Sequence, residues 1–528
     1  MNTPTRMTVL KTVLVLACLA IVGMPSNTTA EDTRPNILFA IADDWGTDHA
    51  GVYGCDWIKT PSFDRLANEG ILFRRAYTPN AKCAPCRATI LTGRNSWQLE
   101  DACNHVNYFP AKFGSFIEAL TAAGYHCGST GKTWGPGQVV SKPGEKRQMT
   151  GIAFNTLKKP VPGMSSTDYA GNFEAFLKTV PKGKPWFFWL GTTEPHRGFL
   201  KGNGIKHGKK LSDIDRVPGY WPDNETIRGD MLDYAIEVEH FDTHLGRAMS
   251  TLDDQQLAKK TLVVATSDHG VPFPRCKGQA YEHSNRLPLA MRWPDGIKAP
   301  KRTIKDFVSF ADFAPTFLDV AGVTSPKGME PITGKSLRPF LESNQSGQVK
   351  AWREHMIIGK ERHDIGRPND WGYPIRGIVT RDYLYLRNYE PSRWPAGNPE
   401  TGYLNCDGGP TKTTILNLRR SGEAPKYWNL CFGKRPTEEL YHIGNDPDCV
   451  NNLANNPDLA DLKKELEAKM IADLKQQGDP RMFGKGHVLE SYPYINKGTV
   501  NFHKRYMSGE KLRAGWVNAS DFEPKPLD

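Results

Sequence analysis

The stretch NILFAIADD, residues 36–44, is the strongest indication of the fold of this chain. It begins with a short, nearly continuous apolar run, which is typical of a strand buried on both faces of a sheet, and it ends in two aspartates. Residues 186–190 and 261–265 share this arrangement, because each run is apolar and polar residues follow it closely. The three stretches therefore predict strands of one buried sheet.

Predicted helices lie between these strands. Residues 60–69 are expected to form a helix with Thr60 as its cap and Pro61 at its first position, and residues 231–252 a long amphipathic helix. Alternating strands and helices favour a largely parallel sheet with helices on both faces, and reactive groups in such sheets gather beyond the carboxyl ends of strands. The candidate site residues at these ends are Asp43, Asp44, His196, Asp268 and His269.

A second domain is indicated after about residue 350. The chain has 528 residues, which is too long for one ordinary hydrophobic core. Residues 379–386 alternate like a strand of an exposed sheet, and residues 457–476 have the pattern of a charged amphipathic helix. We therefore predict a catalytic domain over residues 31–355 and a smaller α+β domain over residues 356–528. Its irregular tail, after residue 478, is expected to wrap back over the body.

The first thirty residues have the pattern of a secretion signal. Arg6 and Lys11 precede an apolar run over residues 12–24, and small residues follow at 28–30, where a signal peptidase would cleave. The run is too short to span a membrane, and no later stretch approaches the roughly 20 apolar residues that a spanning helix needs. Residues 1–30 are therefore predicted to be the signal peptide of a secreted or periplasmic protein. Lipid attachment at Cys18 is the alternative.

The composition is that of a globular enzyme, with 38% hydrophobic and 24% charged residues. The net charge of +10 would attract anionic substrates, and no basic run with interleaved aromatic residues suggests nucleic acid. Ten cysteines are present, and Cys18 would leave with the signal. The odd number that remains suggests, in an oxidising compartment, that one cysteine has a role other than a disulfide.

The segment CAPCR, residues 83–87, carries the most specific chemical signal. Cys-x-x-Cys alone is typical of a redox pair or of half a metal site, but a zinc site needs a second matched pair, which the sequence lacks. Together with LTGR at residues 91–94, the segment resembles the signature of the formylglycine-dependent type I sulfatases of the alkaline phosphatase superfamily, Cys-x-Pro-x-Arg followed by Leu-Thr-Gly-Arg. The match is specific, because every fixed position is present at the fixed spacing.

This resemblance implies the nucleophile. Cys83 would be oxidised to formylglycine by a formylglycine-generating enzyme or a sulfatase maturase, and the hydrate of that aldehyde would supply a hydroxyl. A geminal diol suits sulfate-ester hydrolysis because its second hydroxyl can expel the bound sulfate, whereas a plain Ser or Cys ester would be stranded. Cys86 stands where the family more often has Ser. It is either tolerated or forms a disulfide with Cys83 that blocks maturation.

The family also implies a fold and a metal site. The fold would be an alkaline-phosphatase-like α/β domain with a mixed, mainly parallel sheet flanked by helices, followed by a smaller α+β domain with an antiparallel sheet. Hard carboxylate oxygens suit Ca²⁺, with Mg²⁺ as the alternative. In the family the last ligand is usually Asn, where this chain has His. The implied ligands are Asp43, Asp44, Cys83, Asp268 and His269.

The segment GKTW, residues 131–134, resembles the family's Gly-Lys-x-His. Lys132 would bind a sulfate oxygen, as would Lys277, while Arg87 would stabilise charge and His196 would assist the leaving group. Trp134 stands where the family has a His that handles proton transfer at formylglycine. An indole cannot act as a base, so either another group does this work or turnover is altered.

Two short segments resemble the heparan N-sulfatase (sulfamidase)-like branch, PHR at residues 195–197 and YPIR at residues 373–376. Arg197 and Arg376 would then contact further anionic groups of the substrate. The implied activity is hydrolysis of sulfate esters or sulfamates of a sulfated polysaccharide or glycosaminoglycan. Two alternatives stay open: a phosphoester or phosphonate hydrolase of the same superfamily, and a secreted, non-catalytic sulfated-glycan-binding protein, which Trp134 and Cys86 motivate.

Overall fold

The computed structural model describes residues 1–3, 32–141, 147–350 and 353–528. The predicted signal peptide beyond its third residue, including Cys18, lies outside the described residues. Across these ranges, the helices are all too short or too polar to cross a membrane.

The strands and helices are numbered in chain order. The strands are β1 Asn36–Ala42, β2 Ile71–Tyr77, β3 Asn107–Phe109, β4 His126–Gly131, β5 Gly137–Val139, β6 Ile152–Ala153, β7 Trp186–Gly191, β8 Thr261–Ser267, β9 Arg286–Arg292, β10 Arg302–Ser309, β11 Met356–Lys360, β12 Ile375–Val379, β13 Tyr383–Asn388 and β14 Glu438–His442. The helices are α1 Pro61–Asn68, α2 Cys83–Thr92, α3 Phe116–Ala122, α4 Tyr169–Leu177, α5 Asn203–Lys206, α6 Glu225–Asp254, α7 Glu282–Asn285, α8 Phe313–Val320, α9 Arg338–Glu342, α10 Pro410–Arg420, α11 Pro425–Cys431, α12 Ala460–Gln476, α13 Gly486–Ser491 and α14 Phe502–Met507.

An eight-stranded sheet forms the body of the molecule, in the order β10-β2-β9-β8-β1-β7-β4-β6. β1 pairs in parallel with both β7 and β8, whereas β9 runs antiparallel to β2 and β8. Strands β11 to β14 form a separate antiparallel sheet, and β3 pairs with β5 in a short third one. The predicted fold class is confirmed: a mixed, mainly parallel sheet with helices, and a smaller antiparallel sheet after it.

The position of β1 explains its apolar sequence. It lies inside the sheet, and its alternate side chains enter two different cores, Leu38 and Ala40 on one face and Ile37 and Phe39 on the other. Helices α1, α4 and α6 cover the first face, and α2, α3 and α8 cover the second. A strand covered on both faces has no solvent-facing position, so its sequence does not alternate.

The predicted helix over residues 60–69 is found as α1, but its capping differs from the expectation. The Thr60 side chain does not accept a hydrogen bond from the first turn. Asp242 of α6 does this instead, because its carboxylate accepts from the backbone N–H groups of Ser62 (2.9 Å) and Phe63 (2.7 Å). Helix α6 is also longer than the predicted 231–252. Packing of α1 against α6 thus supplies the cap.

The smaller sheet differs from the prediction of one exposed strand over residues 379–386. Residues 379–386, predicted as one exposed strand, contain the end of β12, a turn and the start of β13, with the Thr380 N–H donating to the Tyr383 carbonyl at 2.8 Å. Most of the hairpin is buried, because α12 packs on one face through Leu466 and Met470. The helix over 457–476 is confirmed as a 3₁₀ turn at Pro457–Leu459 leading into α12.

The tail after residue 478 packs back on the molecule, as expected. Tyr494, Phe502 and Ala514 form a buried cluster with Ile365 and Leu404. Because these partners lie in two earlier loops, the tail covers the region beside the smaller sheet. The division of the chain near residue 355 stays a prediction.

Candidate active site

The candidate site lies at the carboxyl ends of three adjacent strands. Asp43 and Asp44 follow β1 directly, Asp268 and His269 follow β8, and His196 lies in the loop after β7. Since these strands are parallel neighbours, their ends meet at one edge of the sheet. The structure therefore brings together all five residues predicted at strand ends, and all except His196 are buried.

Cys83 is the first residue of α2 and is only 2% exposed. The N–H groups and the positive end of the helix dipole meet at this point, which favours negative charge. The Cys83 Sγ lies 3.2 Å from His269 Nε2. The helix ends at Gly93, whose φ of 67° is left-handed and suits glycine. The signature segment thus forms a short buried helix that presents Cys83 to the strand ends.

Cys86 occupies a different environment from Cys83. Its side chain belongs to the hydrophobic core that includes Ile90 and Leu91. Burial and the Asp268 carboxylate raise the pKa of the Cys86 thiol well above its ordinary value. Every cysteine among the described residues is a free thiol, so no Cys83–Cys86 disulfide is present there.

Arg87 and Lys132 organise the carboxylates on one side of Cys83. The fully buried Arg87 donates from Nε to Asp268 Oδ2 at 2.8 Å and approaches Asp43 Oδ1 at 3.4 Å. Its Nη1 donates to the carbonyls of Lys132 (2.7 Å) and Thr133 (2.8 Å). Lys132 Nζ lies 2.5 Å from Asp43 Oδ2. All three guanidinium nitrogens therefore have protein partners, and Arg87 connects the two carboxylates with the backbone after β4.

Asp44 supplies the clearest evidence that a cation fits here. Its Oδ2 accepts from Lys277 Nζ at 2.7 Å, but its buried Oδ1 has no hydrogen-bond partner, although His269 Nε2 lies 2.8 Å away. Asp44 Oδ1 and His269 Nε2 are thus close together without forming a hydrogen bond, which is the arrangement expected of two ligands of one metal ion. Ligand atoms of Asp43, Asp44, Cys83 and His269 all lie within 4.8 Å of one another. A hard cation would satisfy Oδ1 and the facing carboxylates.

Asp268, the fifth predicted ligand, lies beside this group. Its Oδ1 accepts from the backbone N–H groups of Asp44 (3.1 Å) and His269 (2.9 Å), and its Oδ2 accepts from Arg87. Oδ2 accepts only one of these hydrogen bonds and keeps a lone pair, so the role of Asp268 as a metal ligand stays a prediction. Asp268 also fixes the backbone beside Asp44 and His269.

The electrostatics of the site single out Cys83. Burial and the Asp43 carboxylate disfavour its thiolate, whereas Lys132 and His269 favour it, and the net result is a pKa of the Cys83 thiol well below its ordinary value. An electropositive environment of this kind marks reactive cysteines.

Lys277 connects Asp44 with Asp407 and His196. Its Nζ lies 2.7 Å from Asp44 Oδ2, 2.7 Å from Asp407 Oδ2 and 2.8 Å from His196 Nε2. His196 Nδ1 donates to the Arg197 carbonyl at 3.0 Å, which leaves Nε2 as the acceptor. Asp407 was not predicted from the sequence, because it lies in a Gly-rich loop without any local motif.

A second unpredicted group lies on the other side of Cys83. Asp364 Oδ2 lies 2.7 Å from Lys82 Nζ, and Asp364 Oδ1 lies 3.0 Å from His105 Nδ1. All three residues are buried. The only available signal was that Lys82 adjoins Cys83 in the sequence. Trp134 also faces this region, with its Nε1 donating to the Ala84 carbonyl at 3.2 Å.

A cavity of about 530 Å³ opens above Cys83. Lys132, Lys277 and His196 line its floor with Cys83, and Trp134 stands at its wall. The tail contributes further wall residues, which are Tyr494, Asn496 and Trp516. A polar floor with aromatic walls is typical of a site for a ligand with both charged and apolar surfaces.

Of the two arginines predicted to contact substrate, neither has a free guanidinium. Arg197 borders a neighbouring pocket, but its Nη atoms form a bidentate pair with Asp230 (2.9 and 2.7 Å) and its Nε donates to the Pro272 carbonyl. Arg376 lies in the smaller sheet, fully buried between Asp479 and Glu361. The expectation for Arg376 is therefore corrected, because its charge is already neutralised inside the protein.

Comparisons with known proteins match this chain to one family over most of its length. The sulfatase family model matches residues 35–323, and the model of the C-terminal region of N-sulphoglucosamine sulphohydrolase matches residues 275–393. An ulvan-active sulfatase of Formosa agariphila is 29% identical, with 88% of this chain and 89% of that protein aligned. Human N-sulphoglucosamine sulphohydrolase is 28% identical, with 87% and 93% aligned.

Solved structures share the fold. One protein, solved in complex with its substrate D-glucosamine-2-N,6-O-disulfate, superposes with a TM-score of 0.61 at 23% identity, covering 84% of this chain and 98% of that one. A phosphonate monoester hydrolase of Agrobacterium radiobacter superposes with a TM-score of 0.59 at 19% identity, covering 84% and 96%. The sulfatase model alone matches more than half of the sequence. The chain therefore belongs to the sulfatase family, in a sulfamidase-like branch.

Proposed function

We propose that this protein hydrolyses sulfate esters or sulfamates of a sulfated glycan, with residue 83 as a formylglycine nucleophile. One observation carries the proposal: Cys83 lies at the buried N-terminus of α2, beside the Asp43 and Asp44 carboxylates and in one cavity with Lys132 and Lys277. Hydrolysis of a sulfate monoester needs a nucleophile with cationic groups around the sulfate oxygens. This cavity offers both.

In this reaction the Cys83 Sγ stands in for the hydroxyl groups of the formylglycine hydrate. Maturation would replace the thiol with an aldehyde, using an oxidant supplied by a formylglycine-generating enzyme or a maturase. The N-terminal amides of α2 would then favour negative charge on the attacking oxygen. Cys86 supports this proposal because it is packed in the core, away from the cavity.

The residues that would hold the metal ion are Asp43, Asp44, residue 83 and His269. We propose Ca²⁺, with Mg²⁺ as the alternative, because hard carboxylate oxygens make up half of this group. When bound, the cation would neutralise charge on the sulfate and favour ionisation of the nucleophilic hydroxyl. Asp268 is kept as a proposed fifth ligand, because its Oδ2 accepts only the hydrogen bond from Arg87 and keeps a lone pair.

The other site residues have distinct proposed roles. Lys132 and Lys277 would each neutralise a sulfate oxygen, since both residues line the cavity with Cys83. His196 would assist departure of the alcohol or amine, because its ring is partly exposed in the cavity; to donate a proton, Nε2 would first have to be protonated in place of the hydrogen bond that it accepts from Lys277. Arg87 is a positioning residue, because its donors all contact the protein.

The proposed substrate class is a sulfated polysaccharide or glycosaminoglycan. The similar proteins include an ulvan-active sulfatase, an N-sulphoglucosamine sulphohydrolase and a protein bound to a disulfated glucosamine. Trp134, Tyr494 and Trp516 would provide apolar surface for a sugar ring. Since Arg197 and Arg376 are paired internally, substrate charge beyond the reacting sulfate would have to be met by other groups.

We also propose that the protein is exported from the cytoplasm. The pattern of residues 1–30, a basic start followed by an apolar run and small residues, supports secretion or a periplasmic location. We also retain the division into a catalytic domain over 31–355 and a smaller domain over 356–528. The two separate sheets support that division.

The test is peptide mass spectrometry on the Cys83 fragment of protein coexpressed with a formylglycine-generating enzyme, followed by assays with an aryl sulfate, an aryl phosphate and sulfated glycan fragments. We expect thiol-to-aldehyde conversion and sulfate release, and the variant C83A, prepared identically, should release none. A strong preference for the phosphate would favour a phosphoester or phosphonate hydrolase instead. Glycan binding by fully converted protein without turnover would favour a non-catalytic binder.

A further inference from the structure

Trp134 leaves the site without an imidazole at the position where the family signature has one. We propose that His105, held by Asp364, takes the place of that imidazole as the proton acceptor for the hydroxyl groups at residue 83. The inference deepens the proposed sulfatase function and rests on it. It concerns a residue that lies 29 positions before Trp134 in the sequence.

The His105 ring lies in the cavity of residue 83. His105 and Cys83 line the same cavity, and His105 is 7% exposed. Its Nδ1 lies 3.0 Å from Asp364 Oδ1, and its buried Nε2 has no hydrogen-bond partner among the described residues. A carboxylate can only accept, so Nδ1 carries the hydrogen of the neutral ring and Nε2 keeps its lone pair. A buried unpaired acceptor in an active-site cavity is costly unless it is used.

The Asp364 carboxylate is itself held in place by other residues. Asp364 Oδ2 lies 2.7 Å from Nζ of Lys82, the residue directly before Cys83. The His105 backbone N–H donates to the Arg362 carbonyl at 3.1 Å, which fixes the loop to the same segment. Burial opposes ionisation of Asp364, but Lys82 and His105 lower its pKa below the ordinary value, so it is negatively charged.

The other histidines near Cys83 already have partners for their ring nitrogens. His196 Nε2 accepts from Lys277, and His269 belongs to the metal-ligand group. His363 contacts Asn80 through Nε2 (2.6 Å) and Gly278 through Nδ1 (3.3 Å). Among the described residues that line this cavity, His105 is thus the imidazole with a free nitrogen.

The proposed step is the release of sulfate from residue 83. After the sulfo group has moved to residue 83, the carbon of that residue carries one sulfated oxygen and one hydroxyl. His105 Nε2 takes the hydroxyl proton, the O–H electron pair forms the C=O bond, and sulfate leaves with the electron pair of the broken C–O bond. Water then restores the hydrate, and the imidazolium, stabilised by Asp364, returns its proton to solvent.

The variant H105N tests this step. The Asn amide can still donate to Asp364, so the loop keeps a polar anchor, but it offers no base. We expect kcat to fall about 10²-fold, the usual contribution of a proton-transfer group. Because sulfate release would become limiting, KM should fall with kcat. Residue 83 should also accumulate in sulfated form, detected by intact-protein mass spectrometry after acid quenching.

A second variant separates loss of the base from loss of structure. In H105N/W134H, the family's imidazole is restored at position 134, and we expect it to recover at least about tenfold of the lost kcat and to abolish the sulfated species. Formylglycine content and the thermal unfolding midpoint must match the wild type in both variants. A merely structural role for His105 predicts neither the trapped species nor this recovery.

Three results would overturn the inference. Wild-type kcat in H105N would remove any catalytic role for His105, and a lowered kcat without sulfated residue 83 would remove its role in sulfate release. If matured wild-type protein releases no sulfate, the proposed function itself fails and the inference fails with it. If the wild type turns over normally and only the H105N results disagree, the inference alone is wrong.

Discussion

Replacing Arg376 with methionine should destabilise the fold strongly and leave the chemistry at residue 83 unchanged. The Arg376 side chain is fully buried, with its Nε 2.7 Å from Asp479 Oδ2 and its Nη2 2.8 Å from Glu361 Oε1. In R376M, Glu361 keeps its second partner, Arg481. Asp479 has no other ion pair among the described residues, so the substitution leaves one buried carboxylate without a counter-charge.

The magnitude follows from that unpaired carboxylate. Removing one partner of a buried ion pair costs about 3–5 kcal/mol, because the remaining charge stays desolvated. Methionine refills most of the aliphatic volume, so no large cavity adds to this cost. Because Glu361 remains paired and Asp479 keeps a backbone donor from Arg481, we expect a loss at the lower end, about 3 kcal/mol.

The assay is urea unfolding followed by tryptophan fluorescence, together with kcat and KM measured below the transition. The matched control is R338M, because Arg338 forms ion pairs at the surface with 46% of its side chain exposed, where pairs contribute less than about 1 kcal/mol. If R376M proves as stable as R338M but its KM for a sulfated glycan rises, Arg376 contacts substrate and the reasoning above is refuted.

Three further predictions concern the cavity. K277A should lower kcat about 10²-fold, because one cation and the partner of His196 are lost together; an unchanged kcat in steady-state assays would exclude this role. W516A should raise the KM for a sulfated glycan several-fold with little change in kcat, and the KM of W516F should stay near the wild-type value. An equal rise in the KM for a short aryl sulfate would argue against contact between Trp516 and a sugar ring. Chelation of divalent cations should abolish turnover and lower the unfolding midpoint, and Ca²⁺ should restore both; persistence of both would contradict the metal site.

The sequence by itself determined the fold class and the centre of the site. The apolar run of β1 is continuous because both faces of the strand are covered, and that property is local enough to read from the chain. The Cys83 segment combines the proposed nucleophile, a buried arginine and a helix-ending glycine within a dozen positions. The two aspartates after β1 follow from the rule that parallel strands end at a common edge.

The tertiary structure alone decided which distant side chains complete the site. Lys277 meets Asp407 across 130 positions, and His105 meets Asp364 across 259, and neither loop carries a periodic pattern or motif that would predict the pairing. Arg376 shows the opposite case, because its local segment suggested a substrate contact while Asp479, 103 positions later, neutralises it in the interior. Local sequence sets strand and helix patterns, whereas the pairing of buried charges depends on how separate loops converge in space.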